Sequence, residues 1–299
     1  MSIVIDTLNC GEGTIGTYFN GCNISLKDVV KVFLKKKSLK ISLADGNFDL
    51  EARAEYIKSG ELIPLNDLLN FTDNPQKNNV QTFTNKIKKT VSQGLYDFSL
   101  DFEESTCLSN AFHKIAKQNG WELLILDSED KLFFDNKGGF LNGFSISDIS
   151  VNNTTFNDGA AKISMLTLDI QLDQNGTAGF NKRRSFIVDD TLVDVNGIQD
   201  VTILKLSQAS AAIKVQLVSG CDNSSTVSGL ASKFRVRKAS DNSVVASVAT
   251  EVNGEYNIPI ASANGDYLID LYDSADSSTV VDILDEAFYK SNVLQASFP

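Results

Sequence analysis

Between Tyr96 and Phe102 apolar and polar residues alternate without a slip: Tyr96, Phe98, Leu100 and Phe102 on one side, Asp97, Ser99 and Asp101 on the other. A period of two sends successive side chains to opposite faces, so this stretch reads as a β-strand with one face buried and one wet. Such a strand needs paired neighbours along its edges and an apolar layer against its inner face. The flanking sequence supplies both. Leu108, Ala111, Phe112 and Ile115 recur at helical spacing, with Ser105 or Thr106 to cap the start and Asn119-Gly120 to end it. Trp121 to Leu126 is a dense apolar strand, and Ser128 to Lys131 turns it back into Leu132-Phe133-Phe134. With Gln93-Gly94 as the preceding turn, Val80 to Phe134 reads strand, turn, strand, helix, strand, turn, strand. That is a compact α+β unit with nothing catalytic in it.

Upstream, residues 1–24 are rich in glycine and contain a G-x-G-x-x-G at Gly11, Gly13 and Gly16. A dinucleotide site needs a helix to open there, and Thr17 to Gly21 reads as a short strand and a turn, so an extended arm or loop is expected. A helix is expected from Ser25, with Asp28 in an imperfect capping box and Val29, Val30, Val32 and Phe33 on its apolar side. Lys35 to Lys37 would close it, either as a solvated end or against an acidic neighbouring subunit. Leu39 to Leu43 reads as a short strand, Asp45-Gly46 as a turn, and Asp49 to Ser59 as a helix stopped by Gly60. Leu62 to Leu65 begins an extended segment toward Phe71, and Thr72 to Asn79 is a polar loop.

Downstream, Phe140 to Val151 is extended and Asn152 to Thr155 is loop. Ala161 to Leu172 is a second alternating strand, with Leu166, Leu168, Ile170 and Leu172 against Thr167, Asp169 and Gln171, and it pairs with Phe140 to Val151. Asp173 to Asn196, with Lys182 to Arg184, reads as a polar joining segment. The expected domains are therefore 1–196 and 197–299. In the second, apolar faces at Ile213/Val215/Leu217, Phe234/Val236, Val244 to Val248, Tyr256/Ile258/Ile260 and Tyr267/Ile269/Leu271 alternate with turns every 8 to 12 residues. Short regular strands of this kind suggest a small sandwich, Ig-like in architecture although the Cys…Trp…Cys pattern is absent.

Composition narrows the function. A 299-residue chain with net charge −11 is a poor tight binder of nucleic acid or of an anionic membrane. The start has no basic n-region, and no run approaches the length of a spanning helix, so neither a signal peptide nor membrane insertion is expected. Cys10, Cys22, Cys107 and Cys221 are scattered and read as free thiols, with a Cys10–Cys22 disulfide as the minor reading. His113 is the only histidine, so no histidine-rich metal site can form; no partners for Ser-His-Asp chemistry are recognisable, and it reads as a solvent-facing helix residue. The Asp-rich stretches Asp45 to Asp49 and Asp127 to Asp130 lack calcium-loop spacing and read as solvated turns. Glu103-Glu104 are adjacent rather than facing across a cleft, and the Asn70-Phe-Thr72 sequon carries little weight without a secretory route. No catalytic, cofactor-binding or metal-binding residue is assigned, no cofactor is implied, and an enzyme is not expected.

From about Leu62 to Leu172 the order of parts resembles tail-tube-like and related virion proteins of tailed bacteriophages. The parts are Leu62-Ile-Pro-Leu65, the polar stretch through Thr72-Asp-Asn74, the hairpin ending Gly94-Leu-Tyr-Asp-Phe98, a short helix, Gly120-Trp-Glu-Leu-Leu124 and Gly139-Phe-Leu-Asn-Gly-Phe144. The trailing Ig-like domain strengthens the resemblance. It implies a mainly β chain: a tail-tube-like barrel or sandwich with a flanking helix, then an Ig-like β-sandwich. It further implies a structural virion protein, made in the host bacterial cytoplasm, that self-assembles into stacked rings, hexameric for a tail tube, alongside other virion proteins. DNA would pass through without tight binding. The alternatives are a capsid, collar or decoration protein, or a carbohydrate- or cell-surface-binding module with Tyr256, Tyr267, Tyr272 and Tyr289 as an exposed platform.

Overall fold

The structure, a computed structural model, describes residues 4–5, 28–43, 48–84, 86–92, 94–158, 161–181, 183–187, 192–220, 223, 225–260, 264–283 and 287–298. The chain is mainly β and divides into two compact units, Met1–Val195 and Asn196–Pro299.

The first unit contains, in order, β1 (Val4–Ile5), β2 (Val29–Lys36), α1 (Leu50–Lys58), β3 (Leu62–Leu65), β4 (Leu68–Pro75), β5 (Asn79–Thr82), β6 (Lys88–Ser92), β7 (Tyr96–Glu103), α2 (Thr106–Ala116), β8 (Trp121–Asp127), β9 (Lys131–Lys137), β10 (Phe140–Asn142), β11 (Phe144–Asp158), β12 (Ala161–Leu172), α3 (Gln174–Asn181) and β13 (Arg184–Ile187). One run of antiparallel pairings gives the order β3-β2-β8-β9-β13-β1, with β10 also on β9. A second gives β4-β7-β12-β11. β11 belongs to both: Phe144 and Ser145 pair with β8, and from Ile146 onward the strand pairs with β12. Gly143 makes the crossing possible. A Cβ there would lie 2.6 Å from the Glu122 Cβ and 2.9 Å from the Leu123 carbonyl oxygen, so no side chain fits.

The inner faces of the two runs close on one core. Val32, Leu34, Leu123, Ile125 and Phe133 meet Phe98, Leu100, Phe102, Leu166, Leu168 and Ile170. Two helices complete it. α2 is capped by the Ser105 hydroxyl, which accepts from the Leu108 amide at 3.1 Å, and it sets Phe112 edge-on to Phe102 at 4.9 Å. α3 drives Phe180 among Tyr96, Phe98 and Phe144. All seven residues of β8 are buried, so the first run is covered on both sides. On its far side Phe186 meets Phe134 and Phe48 edge-on. α1 keeps its expected limits, with Asp49 accepting from the Ala52 amide at the start and Gly60 at φ +72° just past the end.

Several expectations fail here. Val29 to Lys36 is a strand, not a helix. Three valines in eight residues favour the pleat, and a strand buried on both faces shows no alternation by which to tell it from a helix. Leu39 to Leu43 makes only an isolated bridge, Ser42 to Phe140. The expected loop from Thr72 is strand as far as Pro75, because β7 offers a partner for each residue and an edge strand tolerates the proline. Asn152 to Thr155 is likewise strand, paired to Thr167 through Ser164. Asp173 to Asn196 is no joint: it holds α3, β13 and a 3-10 turn at Leu192–Asp194, and it buries Phe180, Phe186 and Leu192.

The second unit contains β14 (Ile198–Ala209), β15 (Ala212–Ser219), β16 (Ser225–Val227), β17 (Phe234–Lys238), β18 (Val244–Val245), β19 (Thr250–Val252), β20 (Glu255–Pro259), β21 (Gly265–Leu271), β22 (Val280–Ile283), β23 (Ala287–Ser291) and β24 (Leu294–Phe298). One sheet runs β19-β20-β15-β14-β23-β22 with β16 on β15, and the other runs β18-β17-β21-β24. β14 and β23 pair in parallel. The two sheets share a core of Ile213, Val215, Leu217, Val236, Tyr256, Ile258, Tyr267 and Ile269. Asn253-Gly254, both at positive φ, form the two-residue turn between β19 and β20. The strand expected at Val244 to Val248 reaches only Val245.

Candidate assembly surfaces

The outer face of β4-β7-β12-β11 carries the residues left over when the apolar half of each strand turns inward. Its side chains form a lattice across the strands rather than a scatter. Ser99 donates to Asp169 at 2.6 Å, Thr167 to Asp101 at 2.7 Å and Asn152 to Asp169 at 2.7 Å. Asn70 donates to Asp101 at 3.1 Å, Asn74 to Ser99 at 3.2 Å and Gln76 to Asp97 at 2.6 Å. Amides and hydroxyls thus fix three carboxylates on one face. Among the described residues β4 is hydrogen-bonded only to β7, and β11 beyond Ser145 only to β12, so the β4 margin and the later part of the β11 margin carry no second strand.

β5 and β6 form a separate two-stranded hairpin. Val80, Phe83 and Ile87 are each 44–51% exposed on it. Lys77, Lys86, Lys88 and Lys89 flank them, and no carboxylate occurs between residues 76 and 92. A basic hairpin with exposed apolar side chains, on a chain of net charge −11, is a surface in want of a cover.

At one end of β2 and β8, Lys37, Lys40 and Lys137 line a cavity with Phe140, Asn142 and Asn175. Its carboxylates are engaged within the unit. Glu122 accepts from Lys35 at 2.7 Å and from the Gly143 amide at 3.0 Å. Asp173 accepts from the Ser145 hydroxyl and from the Gly176 amide at 2.7 Å, and the Lys37 ammonium lies 3.7 Å away as an ion-pair partner. Burial works against the Asp173 charge, and these donors outweigh it and hold the carboxyl below its usual range. Lys35, expected on a solvated helix end, is fully buried, and burial lowers its pKa against the pull of Glu122. Lys31 is buried too, donates to the Val195 carbonyl at 2.5 Å, and is lowered by burial to about 8.

The other residues singled out by sequence are dispersed. His113 is exposed on α2, as expected. The glycines at 11, 13 and 16, the Asp45-Gly46 turn, Lys182, Cys10, Cys22 and Cys221 lie outside the described residues. Cys107, expected as a free thiol, is disulfide-bonded. Separation along the chain does not report distance in space, which is what a disulfide requires. Asp127 is not a solvated turn residue: it is fully buried, and one carboxylate oxygen accepts from the Glu129 and Lys131 amides at 2.9 and 3.0 Å. Glu103 and Glu104 are exposed at the end of β7, where Asn153 donates to Glu104 at 3.2 Å. Asn70 and Thr72 of the sequon hydrogen-bond to each other within the polar lattice. Tyr256 and Tyr267 are core, so the four tyrosines make no platform. Asp273, Asp276 and Asp282 bring carboxylate oxygens within 4.8 Å of one another in the second unit, where Lys233 donates to Asp273 at 2.5 Å. Sequence reasoning missed the polar lattice, although the alternation in β7 and β12 already assigned Asp97, Ser99, Asp101, Thr167 and Asp169 to one face.

No family model matches the chain, and no curated protein matches it.

Proposed function

We propose that the chain is a structural, self-assembling subunit of a tailed-bacteriophage virion, most directly of the tail tube, with no catalytic role. The observation that carries this reading is the run β4-β7-β12-β11, which among the described residues has no strand partner along β4 on one side or along β11 beyond Ser145 on the other, and which is paved on its outer face with Asp97, Asp101, Asp169 and neutral amides and hydroxyls. An open strand edge is a template for pairing with another chain. When the unpartnered stretches lie on opposite sides of the run, as along β4 and along β11 beyond Ser145, the same contact can repeat from copy to copy until it closes a ring. The acidic face then lines or coats that ring. Turned inward it repels a phosphate backbone, which suits a conduit that must let DNA slide.

The second unit, read as an Ig-like domain, would decorate the assembly. A head, collar or decoration subunit shares the same self-assembly and differs in the form of the product. Electron microscopy of the purified full chain, with sedimentation velocity across a concentration series, tests the proposal. Rings or stacked tubes are expected. Closed shells or isolated collars would move the chain to another part of the particle, and a strict monomer at all concentrations would remove the proposal.

A further inference from the structure

The two ends of the β2/β8 pair carry opposite charge. β2 and β8 are antiparallel, with Lys36 opposite Trp121 at one end and Val29 opposite Asp127 at the other, roughly 20 Å apart at the rise of a strand. At the first end Lys36, Lys37, Lys40 and Lys137 cluster. Lys36 lies over the Trp121 ring at 3.4 Å, and the other three line one cavity. Glu122 is paired to Lys35 and Asp173 to Lys37, which leaves Lys36, Lys40 and Lys137 against Asp135 and the neighbouring Glu61, so the net charge of this end is positive. At the second end Asp28, Asp67, Glu129 and Asp130 are exposed. The Asp28 carbonyl accepts from the Ser128 amide at 2.8 Å, which fixes it beside the Asp127–Lys131 turn. Of the two lysines there, Lys31 is buried and Lys131 is paired to Glu129 at 2.7 Å. Each end also shows one large apolar residue: Phe140, 40% exposed, at the basic end, and Ile187, 43% exposed, opposite Lys131 at the acidic end.

We infer that first units stack end to end, the Lys37/Lys40/Lys137 end of one copy seated on the Asp28/Glu129/Asp130 end of the next, with Phe140 and Ile187 inside the contact. This rests on the self-assembling reading and adds its polarity. A contact between two different patches is heterologous, so it repeats without limit along an axis rather than closing on a pair. An apolar centre with a charged rim is the usual anatomy of such an interface. The rim sets direction, because turning a copy over would oppose lysine to lysine and carboxylate to carboxylate.

The test uses charge reversal in the full chain. Lys40→Glu with Lys137→Glu makes both ends acidic, and Asp28→Lys with Glu129→Lys makes both ends basic. All four positions are exposed, and circular dichroism checks that each variant is folded. At about 0.05 M salt each variant alone is expected to stack at least about tenfold more weakly than the wild type by sedimentation velocity. Mixing the two variants in equal amounts should restore stacking, and so should all four substitutions in one chain. Assemblies that lengthen as well in either single-end variant as in the wild type, or that gain nothing on mixing, overturn the end-to-end contact while leaving self-assembly standing. A wild-type chain that remains monomeric throughout overturns both.

Discussion

Lys35 and Glu122 face each other across the β2/β8 pair with Nζ 2.7 Å from Oε2, the lysine fully shielded and the carboxylate nearly so. Each also anchors a crossing of the chain. Lys35 donates to the Lys36 and Leu39 carbonyls, and Glu122 accepts from Gly143 where β10 gives way to β11. Removing one partner strands a buried charge, which costs about 3–5 kcal/mol, whereas replacing both by apolar groups is about neutral or stabilising. Glu122→Gln should therefore lower the urea midpoint sharply, and Lys35→Met with Glu122→Leu should recover most of the loss. A double variant no better than the single one would mean that the anchoring hydrogen bonds, not the charge pair, hold this place.

Lys31 gives the first unit a pH signature. Burial lowers its folded pKa to about 8 from the ordinary lysine value of 10.5. Between those values the unfolded chain binds more protons than the folded one, so this residue makes stability rise with pH across that window. Lys31→Met should flatten the rise. Denaturation midpoints at pH 7.5, 9 and 10 for both proteins measure it, and parallel curves would mean that Lys31 stays charged and solvated.

Phe112 and Trp121 are both buried to 2% exposure, in contact with the main core. The Trp121 indole also donates to the Ile115 carbonyl at 3.3 Å. Truncating either to alanine should cost about 3–5 kcal/mol. Because Trp121 is the only tryptophan, its emission reports the first unit alone, blue-shifted when folded. A red emission in the native protein would contradict its burial.

Trypsin should enter the β5–β6 hairpin before any other described site. Lys77, Lys86, Lys88 and Lys89 are exposed there, whereas Arg183 and Arg184 are partly buried in the segment that sequence alone suggested as a joint. Mass spectrometry of early fragments should show cuts at residues 77–89. First cuts at 183–184 would restore the joint.

Duplex DNA should not bind measurably at about 0.15 M salt, where the screening length is roughly 8 Å. The net charge of −11 and the acidic lattice of β7 and β12 both oppose it. Submicromolar affinity in a titration would count against an acidic conduit and would point to the basic hairpin.

What the sequence made legible was whatever carried its own period. The alternation in β7 and β12, the stripe and cap of α2, and the Asp49-to-Gly60 limits of α1 could be read because one face is wet and the other dry. β2 failed for the converse reason: buried on both sides, it shows no alternation, and Lys35, read as part of a solvated end, is held by Glu122. The 173–196 segment failed because its anchors, Phe180, Phe186 and Leu192, are too far apart to form a pattern, although each fills a pocket. The polar lattice depends on register between strands, which only the pairing reveals.

The passage of β11 from β8 to β12 has a mechanical meaning. Layers held only by side-chain packing can shear past one another under load. Here a tensile load on the β8 side reaches the β12 side along a continuous covalent backbone, through the residues that follow Gly143. A wall assembled from such subunits would resist delamination by main-chain tension, and its first point of yield under pulling would be the short ladder at Phe144 and Ser145 rather than the long one from Ile146 to Asp158.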